Sequence, residues 1–299
     1  MTMPAATAQS GLEWASDAFQ QSRRRLFGIA YRMLGTVADA EDVLQDVWIR
    51  WQTARPDDVH EPEAFLATVT TRLSINALQS ARVRRETYIG PWLPEPVNTQ
   101  DDPSLGAERG EALQYAVLLL LERLTPTERA AYVLREAFDY PYERIAGILR
   151  TTPAAARQLV SRARRHLASE RRAEAPPAEQ RRLLDAFLAA AQRGDVAQLE
   201  ELFASHVVSL TDGNGVAKAA RIPVVGLERV ATFVAAFSSH FWTGKAIGWT
   251  EVNGQPAVTL SEGAAVTTVL TLTSSAQSIT RLLWIMSPDK LGHASIAGA

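Results

Sequence analysis

The sequence predicts a multidomain chain. Two all-α modules come first, the second built on a helix-turn-helix, and an α+β domain with a curved antiparallel sheet follows. Three observations predict it. Residues 142–167, YERIAGILRTTPAAARQLVSRARRHL, carry two helical apolar stripes about a tight joint. Residues 92–106, WLPEPVNTQDDPSLG, are rich in proline and aspartate and carry no periodicity, which is linker composition. After residue 177, two helical segments precede alternating or apolar runs separated by turns.

Composition narrows the function classes. The 299 residues suffice for two or three domains, and a hydrophobic content of 46% supports real cores. A net charge of −2 argues against a chain that binds nucleic acid along its whole length. The charge is uneven, however: residues 107–172 hold 12 Arg against 8 acids, and residues 177–299 hold 9 basic and 10 acidic residues. A basic face would therefore belong to one module. With no cysteine there is no disulfide, thiolate metal site or Cys nucleophile. The start, MTMPAATAQSGLEWASD, lacks the basic and apolar order of a signal peptide, and no apolar run approaches a membrane span. A cytoplasmic protein without membrane contact is the expectation, and no metal or cofactor is called for.

The first module is expected over residues 12–91. AFQQSRRRLFGIAYRMLG reads as a helix ended by Gly35. The next helix, DAEDVLQDVWIRWQ, is expected to start near Asp39, with Val43, Leu44, Val47, Trp48 and Trp51 on one apolar stripe. Glu41, Asp42 and Asp46 lie off that stripe, clustered where the helix dipole favours acids. They read either as a well-started surface helix or as an acidic docking face for a basic partner. A long helix at 62–86 then puts Phe65, Leu66, Val69, Leu73, Ile75 and Leu78 on its core side. Arg72, Asn76, Gln79, Arg82, Arg84 and Arg85 supply its polar and basic groups. One acidic and one basic helix suggest two partners, a protein and a nucleic acid.

The second module is expected over residues 108–173. Helices are predicted at 108–124 and 126–137, with Thr125 and Glu128 forming a capping box. In the helix-turn-helix, Thr151 or Thr152 caps the second helix and Pro153 stands in its first turn. Ala156, Leu159, Val160, Ala163 and Leu167 face inward. Arg157, Gln158, Ser161, Arg162 and Arg165 lie opposite, side chains suited to base edges and phosphates in a major groove. The plainer reading is a solvated basic face.

The last module is expected over residues 177–299. Two helices meet at Arg193-Gly194-Asp195, a helix stop followed by a new cap. A strand is expected from His206, a helix at about 226–239, and then four strands, with Asn253-Gly254 as a tight hairpin turn.

DAEDVLQDVWIRW, the long basic helix, and LTPTERAAYVLREAFDYPYERIAGIL ahead of the helix-turn-helix together resemble bacterial sigma factors of the extracytoplasmic-function class. The resemblance covers about residues 15–172. It implies that the 39–53 helix docks on the clamp of core RNA polymerase through Glu41, Asp42, Asp46 and Trp48. It implies that the 62–86 helix opens and holds the minus-ten element of promoter DNA, and that the helix-turn-helix reads the minus-thirty-five element. Where the family often has Asn and Asp in the long helix, this chain has Arg72 and Asn76, which bears on the minus-ten preference.

WLPEP, residues Trp92, Leu93, Pro94, Glu95 and Pro96 in a linker at 92–107, resembles the signature of a subgroup of these factors with a fused C-terminal domain. Asp212-Gly213-Asn214-Gly215 with Lys218 is similar to that subgroup's Asp-Gly-Gly-Gly-Lys, with Asn for one glycine and the lysine displaced. Ser287 followed by Pro288, Asp289, Lys290 and Leu291 is similar to its Asn-Pro-Asp-Lys-Leu. Alone, the last two motifs are ordinary turn chemistry and Trp92 is a single anchor packing on the nearest helix; three signatures in order are not. The C-terminal module itself resembles the SnoaL-like fold, a cone that often encloses a pocket. The combined expectation is a promoter-specificity factor modulated by its own fused domain and catalysing nothing. The alternative is a bifunctional chain whose SnoaL-like pocket takes a small-molecule ligand or acts as an isomerase or cyclase, with Asp185, His206, Asp212 or His240 as its acid–base groups.

Overall fold

The computed structural model describes residues 5–54, 59–99, 114–168, 175–216, 219–275 and 277–292, with side chains from residue 14 onward except those of 82–86. Lys218 and the side chains of Arg82, Arg84 and Arg85 lie outside the described residues. The chain forms two compact units. The first comprises residues 1–84 and 121–167, the second residues 85–120 and 168–299.

The first unit is helical throughout its described part. Helix α1 (Ala5–Leu34) stops at Gly35, which takes the left-handed φ of 79° that a side chain would resist. Helix α2 (Val37–Gln52) begins two residues before the expected start. Thr36 is its cap, accepting from the Asp39 amide and donating to the Asp39 carboxylate at 2.7 Å. Asp39 is thus the third residue of the helix and closes the cap. Val43, Leu44, Val47 and Trp51 are buried as expected. Trp51 sits between the rings of Trp14 (4.8 Å) and Phe65 (5.5 Å) and donates its indole N–H to the Ala15 carbonyl. Helix α3 (Pro62–Glu86) buries Leu66, Leu73 and Leu78.

Helix α4 (Tyr115–Leu121) precedes α5 (Pro126–Glu136). The capping box is formed: the Thr125 side chain accepts from the Glu128 amide while the Glu128 carboxylate accepts from the Thr125 amide. Burial alone would raise the Glu128 pKa. Hydrogen bonds from Thr125 and from Arg162 outweigh that and hold it below the usual carboxylate range. A depressed folded pKa contributes stability above the unfolded value and loses it as pH falls through the folded one. Thr125→Ala is therefore expected to cost about 1 kcal/mol at neutral pH in urea unfolding, and less as pH drops below about 4.

Helices α6 (Tyr142–Leu149) and α7 (Pro153–Ala168) form the helix-turn-helix. Arg150 turns the joint at φ 52°, and Thr152 caps α7 by accepting from the Ala155 amide at 3.2 Å. Ala156, Val160, Ala163 and Leu167 are buried, whereas Leu159 is half-buried.

The second unit is built on a six-stranded sheet of order β2-β1-β6-β5-β4-β3. Its strands are β1 (Phe203–Asp212), β2 (Val224–Val225), β3 (Ala246–Val252), β4 (Gln255–Glu262), β5 (Ala265–Ser274) and β6 (Ile279–Ile285). The α+β class is as expected, but the sheet is mixed, not antiparallel throughout: β1 runs parallel to β6. Hairpins β3–β4, β4–β5 and β5–β6 were legible from their turns, whereas the parallel neighbour of β1, β6, lies some seventy residues on and no local pattern gives its direction. Asn253 and Gly254 make the β3–β4 turn with φ 54° and 72°, both positive as a type I′ turn requires.

Side chains alternate across this sheet. Val258, Leu270, Leu272, Leu282 and Trp284 face a core shared with α8 (Pro177–Arg193), α9 (Val196–Leu202) and α10 (Leu227–Ala236), to which α11 (Ser238–Phe241) adds Phe241. Ala257, Val269, Leu283 and Ile285 face the other way, onto Leu93, Tyr115 and Leu291. The segment of linker composition is, over its described part, one wall of the second core, as the resemblance of WLPEP to an interdomain signature implies. The expected 108–124 helix is described only from Tyr115, whose ring belongs to that same core. Val97–Thr99 also run along the open edge of β3. Thr99 N–H donates to Glu251 O, while Val97 and Asn253 exchange bonds in both directions. An unpaired edge is an aggregation hazard, and this segment covers it.

Candidate nucleic-acid faces and a linker clamp

Helix α7 presents Arg157, Gln158, Ser161, Arg162 and Arg165 on its exposed side, as the apolar spacing requires. They are not equivalent. Arg162 Nε donates to Glu128 at 3.1 Å, tying it to the capping box of α5. Arg157 lies over the Tyr142 ring at 5.3 Å and 3.6 Å from Glu143, with its side chain 58% exposed. Arg157 is thus the cleaner probe. Arg157→Ala is expected to weaken binding to an upstream promoter duplex by about 1–3 kcal/mol in a mobility-shift titration. Arg162→Ala should add a loss of fold stability.

On α3, Asn76 and Gln79 are exposed. Arg72 is not free for a ligand: it donates to the carbonyls of Ile148 (2.8 Å) and Gly147 (3.0 Å), at the C-terminal end of α6, where a cation is favoured. On α2, Asp42 and Asp46 are exposed, one turn apart. Glu41 is half-buried and paired with Arg23 at 2.7 Å, and Trp48 is half-buried against Phe19. Both therefore have structural duties, and the exposed acidic face reduces to Asp42 and Asp46. Sequence reasoning missed Arg129. It is wholly buried, donating to Met33 O and Glu122 at 2.8 Å each, and joins the end of α1 to α5.

The three motifs of the second unit converge on one buried carboxylate. Asp212, fully buried at the end of β1, accepts from the Leu93 amide at 2.7 Å, from Lys290 Nζ at 2.6 Å and from the Tyr88 hydroxyl. Its own carbonyl accepts from the amides of Met286 (2.7 Å) and Ser287 (2.9 Å). Lys290 is likewise buried; it donates also to Leu93 O at 2.6 Å and lies over the rings of Trp92 (4.2 Å) and Tyr88 (5.0 Å). Burial, with Asp212 beside it, raises the Tyr88 pKa and keeps its hydroxyl a donor. Pro288–Lys290 form a short 3-10 turn that swings Lys290 and Leu291 inward and leaves Pro288 and Asp289 exposed.

The WLPEP segment is packed from Leu93 to Pro96, with Trp92 half-buried; Glu95 is 1% exposed, and Pro94 O accepts from the Tyr115 hydroxyl. In the loop after Asp212, a Cβ on Gly213 would meet Ala219 at 2.2 Å, so only glycine fits. Gly215 has φ 85° and lies against Ile89. Tyr88, Tyr115 and Asn253 are the clamp residues that sequence reasoning missed. Asn253 was legible as a turn former, but its bond to Val97 was not.

Asp185, His206 and His240 are exposed on α8, β1 and α11, and Asp212 is held in the clamp, so the four acid–base candidates are not brought together.

A helical frame with an exposed basic helix-turn-helix has the architecture of a DNA-binding protein. Residues 18–84 match the family model Sigma-70 region 2, and residues 114–167 match Sigma-70, region 4. The chain is 38% identical over 232 residues to the ECF RNA polymerase sigma factor SigJ of Mycobacterium tuberculosis, covering 76% of this chain and 74% of that protein. It is 32% identical over 280 residues to the protein named Probable ECF RNA polymerase sigma factor SigI of the same species, covering 92% and 94%. The crystal structure of the Mycobacterium tuberculosis extracytoplasmic function sigma factor SigJ superposes with a TM-score of 0.74 at 31% identity, over 93% of this chain and 98% of that one. The chain belongs to the extracytoplasmic-function sigma factors of the sigma-70 family. It is a transcription initiation factor, and its two sigma-70 regions imply binding to core RNA polymerase and promoter DNA. Sigma factors are not enzymes. Among the described residues no helix is long and apolar enough to cross a membrane.

Proposed function

We propose that this sigma factor is governed by its own C-terminal domain through the hold that Asp212 and Lys290 take on the segment Tyr88–Thr99. In this reading α7 reads the upstream element, the exposed groups of α3 hold the melted minus-ten strand, and Asp42 and Asp46 on α2 meet a basic surface of core polymerase. Phosphate contacts from arginine would supply affinity and salt dependence, and base-facing groups the sequence choice. The factor would work in the cytoplasm, with domains at 12–91, 108–173 and 177–299 and the clamp on the segment that joins the first two.

The observation that carries the reading is the buried carboxylate–ammonium pair shared by the WLPEP segment, the loop after β1 and the C-terminal turn. A buried ion pair is a weak source of stability but a good source of a unique arrangement. A domain tethered in the same chain acts at high effective concentration, so a modest change at the pair suffices to shift a two-state equilibrium. A small-molecule ligand for the C-terminal domain is part of the proposal.

The experiment is to reconstitute holoenzyme with full-length protein and with Trp92→Ala. Promoter output should change while the footprint stays on the same bases. Unchanged output would remove Trp92 from any regulatory role.

A further inference from the structure

The helical side of the sheet in the second unit holds an apolar cleft, open to solvent. Its walls are aromatic. Phe233 and Phe237 come from α10 and its end, Phe241 and Trp242 from α11 and its end, and Trp284 from β6. The rings hold one another edge to face: Phe233 with Phe237 at 5.0 Å, and Phe241 with Trp242 and Trp284 at 5.1 and 5.6 Å. All but Trp284 are half-buried, so ring surface is left facing the cleft.

The polar content of the cleft is small. Trp284 spends its indole N–H on the Ser209 hydroxyl at 3.1 Å. Thr211 brings the one hydroxyl, and the residue is 5% exposed. No charged side chain lines the cleft among the described residues. Aromatic walls, one hydroxyl and no charge suit a flat neutral aromatic molecule and disfavour an ion, which would lose its hydration without gaining a partner.

The cleft and the clamp share a backbone. Thr211 lines the cleft, and the next residue is Asp212; side chains alternate along a strand, so the two point to opposite faces. Met286 also lines the cleft, and its amide donates to the Asp212 carbonyl at 2.7 Å, followed by the Ser287 amide at 2.9 Å. A molecule pressing on Thr211 and Met286 thus acts on the strand ends that hold Asp212.

We propose that this cleft is an effector site: a neutral, planar aromatic small molecule binds among Phe237, Trp242 and Trp284 and alters the grip of Asp212 on the Leu93 amide and Lys290. The inference rests on the clamp reading given above. A ligand shifts an arrangement only by preferring one state, and here the preference is for whichever position of Met286 and Thr211 leaves the cleft open.

The test uses the full-length protein and the neutral probe N-phenyl-1-naphthylamine. Its fluorescence is expected to saturate with one-to-one stoichiometry. Trp242→Ala and Phe237→Leu should each weaken binding at least tenfold. Both residues are half-buried, and an unchanged thermal unfolding profile confirms that each variant is folded. In the wild-type protein, saturating probe should change hydrogen exchange at the Leu93 amide at least threefold. Absence of saturable binding, or equal binding by both folded variants, overturns the site. Binding that leaves Leu93 exchange unchanged overturns its role as an effector site. The two readings separate cleanly. If clamp variants alter transcription but the probe does not bind, the cleft inference fails alone. If the probe binds and moves Leu93 while clamp variants transcribe normally, the clamp reading fails alone.

Discussion

Asp212→Ala is expected to destabilise the clamp by about 3–5 kcal/mol, because it leaves the Lys290 ammonium buried with no counter-charge. The size follows from burial. Asp212 and Lys290 have side chains 0% and 6% exposed and lie 2.6 Å apart, so neither charge can fall back on water. The same substitution takes away the acceptor for the Leu93 amide and for the Tyr88 hydroxyl. Hydrogen exchange at Leu93 is the direct measure, since it reports local opening of the segment apart from global unfolding. Asp212→Leu combined with Lys290→Met should recover part of the loss, because it leaves no buried charge behind, while the Leu93 amide and carbonyl stay without their partners. If Asp212→Ala leaves Leu93 exchange as slow as in the wild type, the pair is not what holds the segment.

Reversing both Asp42 and Asp46 to lysine is expected to abolish association with core polymerase while the protein stays folded. The apolar stripe of α2 is untouched by these changes, and both carboxylates are exposed, so the fold loses nothing comparable. Against a basic partner surface, two reversals turn attraction into repulsion and slow encounter as well as weaken the complex. Glu41 is deliberately left out, because its pairing with Arg23 would confuse binding with stability. Co-purification with core polymerase, beside circular dichroism, decides it. A folded double variant that still captures polymerase would reduce this acidic face to a solvated helix start.

Much of this was legible because the signals are local. The apolar spacing placed α2, α3 and α7, the Thr125–Glu128 box placed the start of α5, and Asn253-Gly254 placed a hairpin. The exposed face of α7 followed from the same spacing. What was not legible depended on partners far apart in the chain. Pairing of β1 with β6 sets the sheet's mixed character, and no window of residues contains both strands. WLPEP has the composition of a free linker, and only the apolar faces of β4, β5 and β6 explain why Leu93 is 1% exposed. Resemblance pointed to Asp212 and Lys290 as members of two motifs, but their meeting, and the part of Tyr88, are facts of the fold. Arg72 shows the converse: its residue type suggested nucleic acid, while its position gives it to the carbonyls ending α6.

In the proposed function the fused domain sets initiation activity through its hold on the Tyr88–Thr99 segment. The most direct test is multi-round transcription in vitro by core polymerase with the wild-type protein and with Asp212→Ala, on a promoter selected by the wild type and normalised to polymerase-bound factor. Output is expected to change at least threefold, with the same start site and the same protected bases. Output equal to wild type, with the Leu93 amide shown by exchange to be released, would contradict the proposed function.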